Sequence, residues 1–182
     1  MFKVALYLLI AVILAIFLLP FVYTISPYHL DPTKFLQAPS FELFFGTDRL
    51  GRDMFARVLN GGQTSLIIGF LAASISSIVG LFIGINAGYF KGNIDKTITI
   101  MIDLFLTFPT FFLLLALVSY IQASALILII VISITSWMGM ARMIRSESFA
   151  IGNKPFIKIL KVANVSTFKI IFKYFAPLLA PI

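Results

Sequence analysis

The sequence predicts an all-α fold: a polytopic transmembrane helix bundle of about four spans, the start of a fifth, and a helix-turn-helix loop on one side of the membrane. Three observations predict it. Only 12% of the 182 residues are charged, about half the ~25% of a typical soluble chain. The charges are segregated, so that 4–30, 58–90 and 104–141 hold no Asp, Glu, Lys or Arg. Those windows are continuously apolar, which selects helices over the ~10-residue alternating strands of a membrane barrel. A soluble domain of this size needs a polar exterior that such a chain cannot supply. Soluble enzymes, disordered tails and nucleic-acid-binding domains are therefore excluded, despite a net charge of +7.

Each element follows from length and punctuation. A crossing helix needs ~20 apolar residues. The first span is expected over 4–25, longer than a ~7–15-residue signal core and without a small-x-small cleavage site. Residues 26–57 break helices early at Pro27, Pro32 and Pro39, then cluster Asp48, Arg49, Arg52, Asp53 and Arg57. A second span is expected over 64–89 and, past the polar loop 91–96, a third over 98–120. Gln122-Ala123-Ser124 is the polar break before a fourth, over 123–141. From Arg142 the composition turns basic: Arg142, Arg145, Lys154, Lys158, Lys161, Lys169 and Lys173 oppose only Glu147. Segment 26–57 is balanced, and cytoplasmic loops are the ones enriched in Lys and Arg. The assignment is thus 142–176, the 91–96 loop and the N-terminus inside, 26–57 outside. From Phe175 a fifth span opens and is cut at Ile182, so the sequence reads as truncated. The domains expected are an anchor at 1–30, an extracytoplasmic or interfacial segment at 31–62, and an incomplete bundle at 63–182 with its loop at 146–177.

Four features carry candidate function, each with a plainer alternative. Ala72, Ser76, Gly80, Gly84 and Gly88 recur every four residues. Such a stripe lets helix backbones approach closely in lipid, as a seam at a pathway or as ordinary bundle packing. Asp103 is the only charge between Lys96 and Arg142, with Pro109 following. An intramembrane acid is a functional candidate, while an acid near a helix N-terminus also simply suits the dipole; Pro109 is expected to kink its span. Gly46-Thr47-Asp48-Arg49-Leu50-Gly51-Arg52-Asp53 reads as an interfacial helix with (i, i+4) pairs Asp48–Arg52 and Asp53–Arg57. Finally, Phe156, Ile157, Ile159, Leu160 and Ala163 alternate with Lys154, Lys158 and Lys161 at helical spacing. Asn164 can end that helix in the left-handed conformation, and Ser166 can cap a second one that leads to Pro177. A basic, amphipathic helix-turn-helix docks a cytosolic partner or lies on anionic lipid.

Several chemistries are absent. With no Cys and one His, thiolate and multi-His metal sites have no ligands. Gly61-Gly62-Gln63-Thr64-Ser65 lacks the Lys and the spacing of a phosphate-cradling loop, so the chain itself is expected neither to hydrolyse ATP nor to act as an enzyme. An intramembrane enzyme built on Asp103 would lack a second acid or His at its depth.

These motifs resemble a known family. Phe45-Gly46-Thr47-Asp48-Arg49-Leu50-Gly51-Arg52-Asp53 is similar to the signature of the C-type permease subunits of oligopeptide, dipeptide and nickel ABC importers. Gly61-Gly62-Gln63-Thr64-Ser65-Leu66, Ala87-Gly88-Tyr89-Phe90-Lys91-Gly92, Asp103 with Phe108-Pro109, and Trp137 through Arg145 fall in the family's order. The resemblance implies a transport subunit of the bacterial inner membrane, forming part of the path for peptides or a related solute such as nickel. It implies a second homologous permease subunit, two cytosolic ATPases holding ATP and Mg, and an extracytoplasmic solute-binding protein, alongside membrane lipid and without nucleic acid. It makes 146–177 the ATPase-coupling loop. There the family's Glu-Ala-Ala, Gly and Pro positions fall on Lys158-Ile159-Leu160, Asn164 and Pro177, so the plan is shared while the acid has become a base. A non-transporting scaffold with its basic loop on lipid is the alternative.

Overall fold

The computed structural model describes residues 2–107, 112, 115–116, 119 and 124–179. Their regular structure is helical. Helix α1 is Phe2–Val22, α2 Met54–Phe90, α3 Gly92–Thr107, α4 Ala125–Gly152, α5 Pro155–Val162, α6 Thr167–Ile170 and α7 Ala176–Leu179. A π-helical turn, Ile171–Phe175, joins the last two, and a 3-10 turn covers Pro32–Lys34. Among the described residues the one β-type pairing is an isolated bridge, Thr47 to Asp53. Among the described residues three helices are long and apolar enough to cross a membrane: α1, α2 and α4. Of the expected third span, 98–107 lies in α3; Pro109 and most of the remainder lie outside the described residues.

The helices overrun the apolar windows, for local reasons. Helix α2 starts ten residues before 64, because Asp53 accepts the backbone N–H of Ala56 at 2.7 Å and caps the first turn. It stops where Lys91 and Gly92 take positive φ, +56° and +58°. Helix α4 starts after Ser124, whose hydroxyl accepts from the Ile127 N–H at 3.3 Å. It continues well past 141 to Gly152: an apolar run ends where hydrocarbon ends, while a helix ends where its backbone finds a cap, here at Asn153.

The chain divides into two compact units, Met1–Ile67 and Ile68–Ile182. In the first, α1 meets the start of α2 where the Gln63 amide donates to the Ile16 carbonyl at 3.1 Å. In the second, a cluster of buried side chains gathers Ile85 and Tyr89 of α2, Ile144 and Ile151 of α4, Ile157 of α5, Ile170 of α6, Phe175 and Leu179. A smaller cluster joins Ile102 of α3 to Met138 and Ala141 of α4.

Candidate functional site

In the first unit, residues 46–53 form a tight turn rather than the expected interfacial helix. Gly46 and Gly51 sit at φ +67° and +72°, which a helix cannot accommodate. A Cβ on Gly51 would lie 1.8 Å from the Asp31 carbonyl oxygen. The turn closes around two acids. Asp48 accepts from the Leu50 and Arg52 N–H groups at 2.8 and 3.0 Å, from Arg52 Nε at 2.8 Å and from Arg57 Nη1 at 2.6 Å. Desolvation pushes its carboxyl up, but the hydrogen bonds and charge of Arg52, with the Leu50 N–H, outweigh it and hold the carboxyl well below its usual 3.8. Asp53, buried, takes the Tyr23 hydroxyl at 2.5 Å besides capping α2. The expected Asp48–Arg52 pair is thus present, whereas Arg57 turns to Asp48 rather than Asp53. Thr47 is buried, its hydroxyl donating to the Lys34 carbonyl and accepting the Gln37 N–H; Leu50 stays half-exposed.

In the second unit the small-residue stripe of α2 lies along α4 of the same chain. Ala72 is buried, and the buried Ser76 hydroxyl donates to the Ser133 carbonyl at 3.3 Å. A Cβ added at Gly80 would meet Met140 Cβ at 2.7 Å, at Gly84 the Ala141 carbonyl oxygen at 2.7 Å, and at Gly88 Ser148 Cβ at 2.4 Å. Successive small residues meet successive turns of α4 in the same order, so the two helices run parallel with backbones close.

Charge pairs fasten α3 to α4 in the opposite sense. Asp103 pairs with Arg142 at 2.5 Å, both side chains 56% exposed. Asp95 takes both Nε and Nη2 of Arg145, the latter at 2.8 Å, with the side chains 13% and 29% exposed. Pairing 95 with 145 and 103 with 142 makes the helices antiparallel. The Lys91 ammonium donates to Asn153 Oδ1 at 2.8 Å and lies 4.9 Å from the Phe149 ring centroid. The α2–α3 connection is thereby tied to the end of α4.

The loop past Gly152 is a helix-turn-helix. Helix α5 opens on Pro155, and its end is a Schellman motif: Asn164 at φ +57°, its N–H on the Lys161 carbonyl, and the Val165 N–H on the Leu160 carbonyl. Leu160 and Val165 pack together against the buried cluster. Ser166 precedes α6, as its position suggests, but makes no side-chain capping bond. Pro177 lies inside the continuous helical run 167–179, just past the π-helical turn Ile171–Phe175. Helix α5 has two faces. Ile157 is fully buried in the cluster, and the Lys161 ammonium lies 4.2 Å from the Tyr89 ring centroid, so both point back into the bundle. Phe156, Ile159 and Val162, 38%, 66% and 88% exposed, and Lys158 face outward.

Residues 76–182 match the family model of the binding-protein-dependent transport system inner membrane component. The chain belongs to this family. The match begins within the stripe and takes in every tie between α2, α3, α4 and the loop. The chain is 35% identical over 172 residues to the dipeptide transport system permease protein DppC of Alkalihalophilus pseudofirmus, covering 94% of the chain and 56% of that protein. It is 33% identical over 134 residues to the oligopeptide transport system permease protein OppC of Haemophilus influenzae, covering 74% and 43%. It is 34% identical over 139 residues to DppC of Bacillus subtilis, covering 76% and 43%. The chain spans about half the length of these relatives. It is a multi-pass membrane protein of a transport family.

The partners of these candidate residues are not legible from sequence spacing. Asp103 is read without Arg142 as its partner; Arg145, Tyr89 and Lys91 enter only through the basic stretch and the motif strings, and Asp95 only as part of the polar loop 91–96, none of them with a pairing role. One signal was present: Asp103 and Arg142 bound the charge-free window 104–141 on its two sides, as the two feet of a helical hairpin would.

Proposed function

We propose that the chain is a transmembrane permease subunit of an ATP-driven importer for peptides or a related small solute, and that α5 is where a cytosolic ATPase grips it. One observation carries the reading: α5 presents Phe156 and Ile159 outward while Ile157 anchors the same helix in the cluster shared with α2 and α4. An amphipathic helix with an exposed apolar row fits a groove on a partner. A push on α5 is then a push on Ile157, Tyr89, Ile144 and Phe175 together, because close-packed side chains transmit displacement.

The glycine seam carries the push along α2 and α4, and the Asp95–Arg145 and Asp103–Arg142 pairs carry α3 with them. Closure of two ATPase subunits, which hold ATP and Mg, would switch the bundle between outward-facing and inward-facing states. A second, homologous permease subunit would complete the path, and an extracytoplasmic binding protein would deliver the solute and set most of the specificity. The basic loop, and with it the N-terminus, is placed on the cytoplasmic side by the positive-inside rule.

Affinity purification of the full-length protein from its native membranes tests the reading. A cytosolic ATPase is expected to co-purify with the unmodified protein and to be lost with Phe156→Asp/Ile159→Asp. Recovery of no ATPase with a folded, full-length protein would sink the proposal.

A further inference from the structure

Helix α1 carries Pro20 inside its span Phe2–Val22. A helix pairs each backbone N–H with the carbonyl four residues back, and proline has no N–H to give. The acceptor that loses its bond is the Ile16 carbonyl. Helical bonding continues beyond it, with the Tyr23 N–H on the Leu19 carbonyl at 2.7 Å, so the missing bond is confined to one group. Ile16 lies in the charge-free window 4–30, within a helix long and apolar enough to cross a membrane. Hydrocarbon offers no water to replace the bond, and an unpaired carbonyl is costly there.

The missing donor comes from α2. The Gln63 side-chain amide donates to the Ile16 carbonyl at 3.1 Å, from 47 positions further along the chain. Pro20 and Gln63 line one small cavity of about 70 Å³ together with Tyr23, Ala56 and Asn60. The side of α1 that lacks the bond is therefore the side that faces α2. Gly62 permits the approach, since a Cβ there would stand 3.1 to 3.3 Å from three side-chain atoms of Ile16, whereas Gly61 faces open space. Gln63 itself belongs to the charge-free window 58–90, where its polar amide needs a partner. Its polar neighbours are engaged with each other: Asn60 accepts from the Tyr28 hydroxyl at 2.8 Å, and Thr64 donates to the Asn60 carbonyl at 2.9 Å. A second tie, the Tyr23 hydroxyl on Asp53 at 2.5 Å, lies further out along the same pair of helices. Pairing 16 with 63 and 23 with 53 makes α1 antiparallel to the start of α2.

We propose that Gln63 is a positioning residue that replaces the helical hydrogen bond forbidden by Pro20, and that this exchange fixes the register of α1 on α2. Apolar contact is non-directional, so it alone would let α1 rest on α2 in many registers. One orphaned carbonyl opposite one amide admits a single register. Helix α1 is then a fixed member of the first unit rather than a hydrophobic tether leading into it, and movement of the start of α2 would carry α1 along. None of these residues takes part in the α5 contact, so the docking of α1 is independent of whether an ATPase grips the loop.

Disulfide formation in Ile16→Cys/Gly62→Cys, made in the otherwise cysteine-free full-length protein, measures docking in native membranes. A Cβ at 62 lies close enough to Ile16 for such a bridge, and the backbone carbonyl at 16 is kept. Gln63→Met preserves the side-chain length and removes the donor. It is expected to slow bridging roughly three- to twentyfold, the span of inter-helix hydrogen-bond strengths in a membrane bundle. Pro20→Ala restores the N–H at position 20, so on that background Gln63→Met should slow bridging less than about twofold. Packing by Gln63 alone would give the same loss on both backgrounds. An equal or greater slowing with Pro20→Ala, or no slowing on either background, would overturn the proposal. If Gln63→Met alone fails to accumulate in the membrane, adding Pro20→Ala is expected to restore its level, and failure to restore it overturns the proposal equally.

Discussion

Replacing Gly84 by Ala isolates the seam between α2 and α4. The added Cβ would stand 2.7 Å from the Ala141 carbonyl oxygen and 2.8 Å from Ile144 Cβ, where favourable contact begins near ~3.5 Å. Two of the three nearest obstacles are backbone or Cβ atoms that no rotamer change can move, so α2 must retreat from α4 by most of an ångström. Overpacking of this kind costs about 1–3 kcal/mol. Against it stands the gain of about 1 kcal/mol from Ala over Gly in a helix. The net expectation is a destabilisation of about 0–2 kcal/mol for Ala, and a larger one for Leu, whose bulk has nowhere to go. Gly69 is the control: it lies on the same helix, and a Cβ there meets nothing within 4 Å, so Gly69→Ala keeps the helix gain and loses nothing. Thermal unfolding of the purified protein in one detergent, followed by loss of the monodisperse peak, measures both. The melting temperature should rise or stay level for Gly69→Ala and fall in the order Gly84→Ala, Gly84→Leu. Equal shifts for Gly69→Ala and Gly84→Ala would refute the seam.

Two further expectations concern charge. Asp95→Asn should destabilise the protein, because it leaves Arg145 without its bidentate partner in a site only 13–29% exposed; for a fully buried pair such a loss is about 3–5 kcal/mol, and this half-buried one should fall below that range. Arg145→Gln added to Asp95→Asn should cost less than the two single changes summed, and additivity in that double-mutant cycle would argue against the pair. The second concerns Asp48, whose carboxyl lies below its usual 3.8 in the folded protein. A depressed folded-state value stabilises the fold above 3.8, and that contribution is lost as pH falls below 3.8 toward the folded value. The melting temperatures of the unmodified protein and of Asp48→Asn should therefore stay separated down to about that pH and converge below it; convergence well above it would contradict the assignment.

The sequence made the helices legible because each apolar window is long enough to force one, and it made the stripe legible because small residues every four positions have no other regular reading. Asn164 likewise announced its left-handed conformation through its side chain. Helix ends were less legible. Composition marks where hydrocarbon stops, and α4 runs past Ala141 because its backbone bonds do not depend on the polarity of Arg142 or Arg145. The turn at 46–53 was misread because charge spacing suggested a helix, while Gly46 and Gly51 reverse the chain and deliver both Arg52 and Arg57 to Asp48. The ties that make the loop mechanically interesting, Asp103–Arg142, Asp95–Arg145 and Lys161 on Tyr89, join residues 39, 50 and 72 positions apart. Only the first leaves a trace in the sequence, as the two ends of the charge-free window 104–141; the other two appear only once the helices are packed.

In the proposed coupling, α5 is gripped by an ATPase on its outward face and anchored in the bundle by its inward one. Placing a photoreactive benzophenone side chain at Ile159 or at Ile157 of the full-length protein, in native membranes, tests both halves together. The side chain at 159 is expected to cross-link to a cytosolic protein whose peptides include a phosphate-binding G-x-x-x-x-G-K-S/T loop, and the one at 157 only within the chain. Cross-links from Ile159 to lipid alone, or an equal yield of the ATPase from both positions, would contradict it.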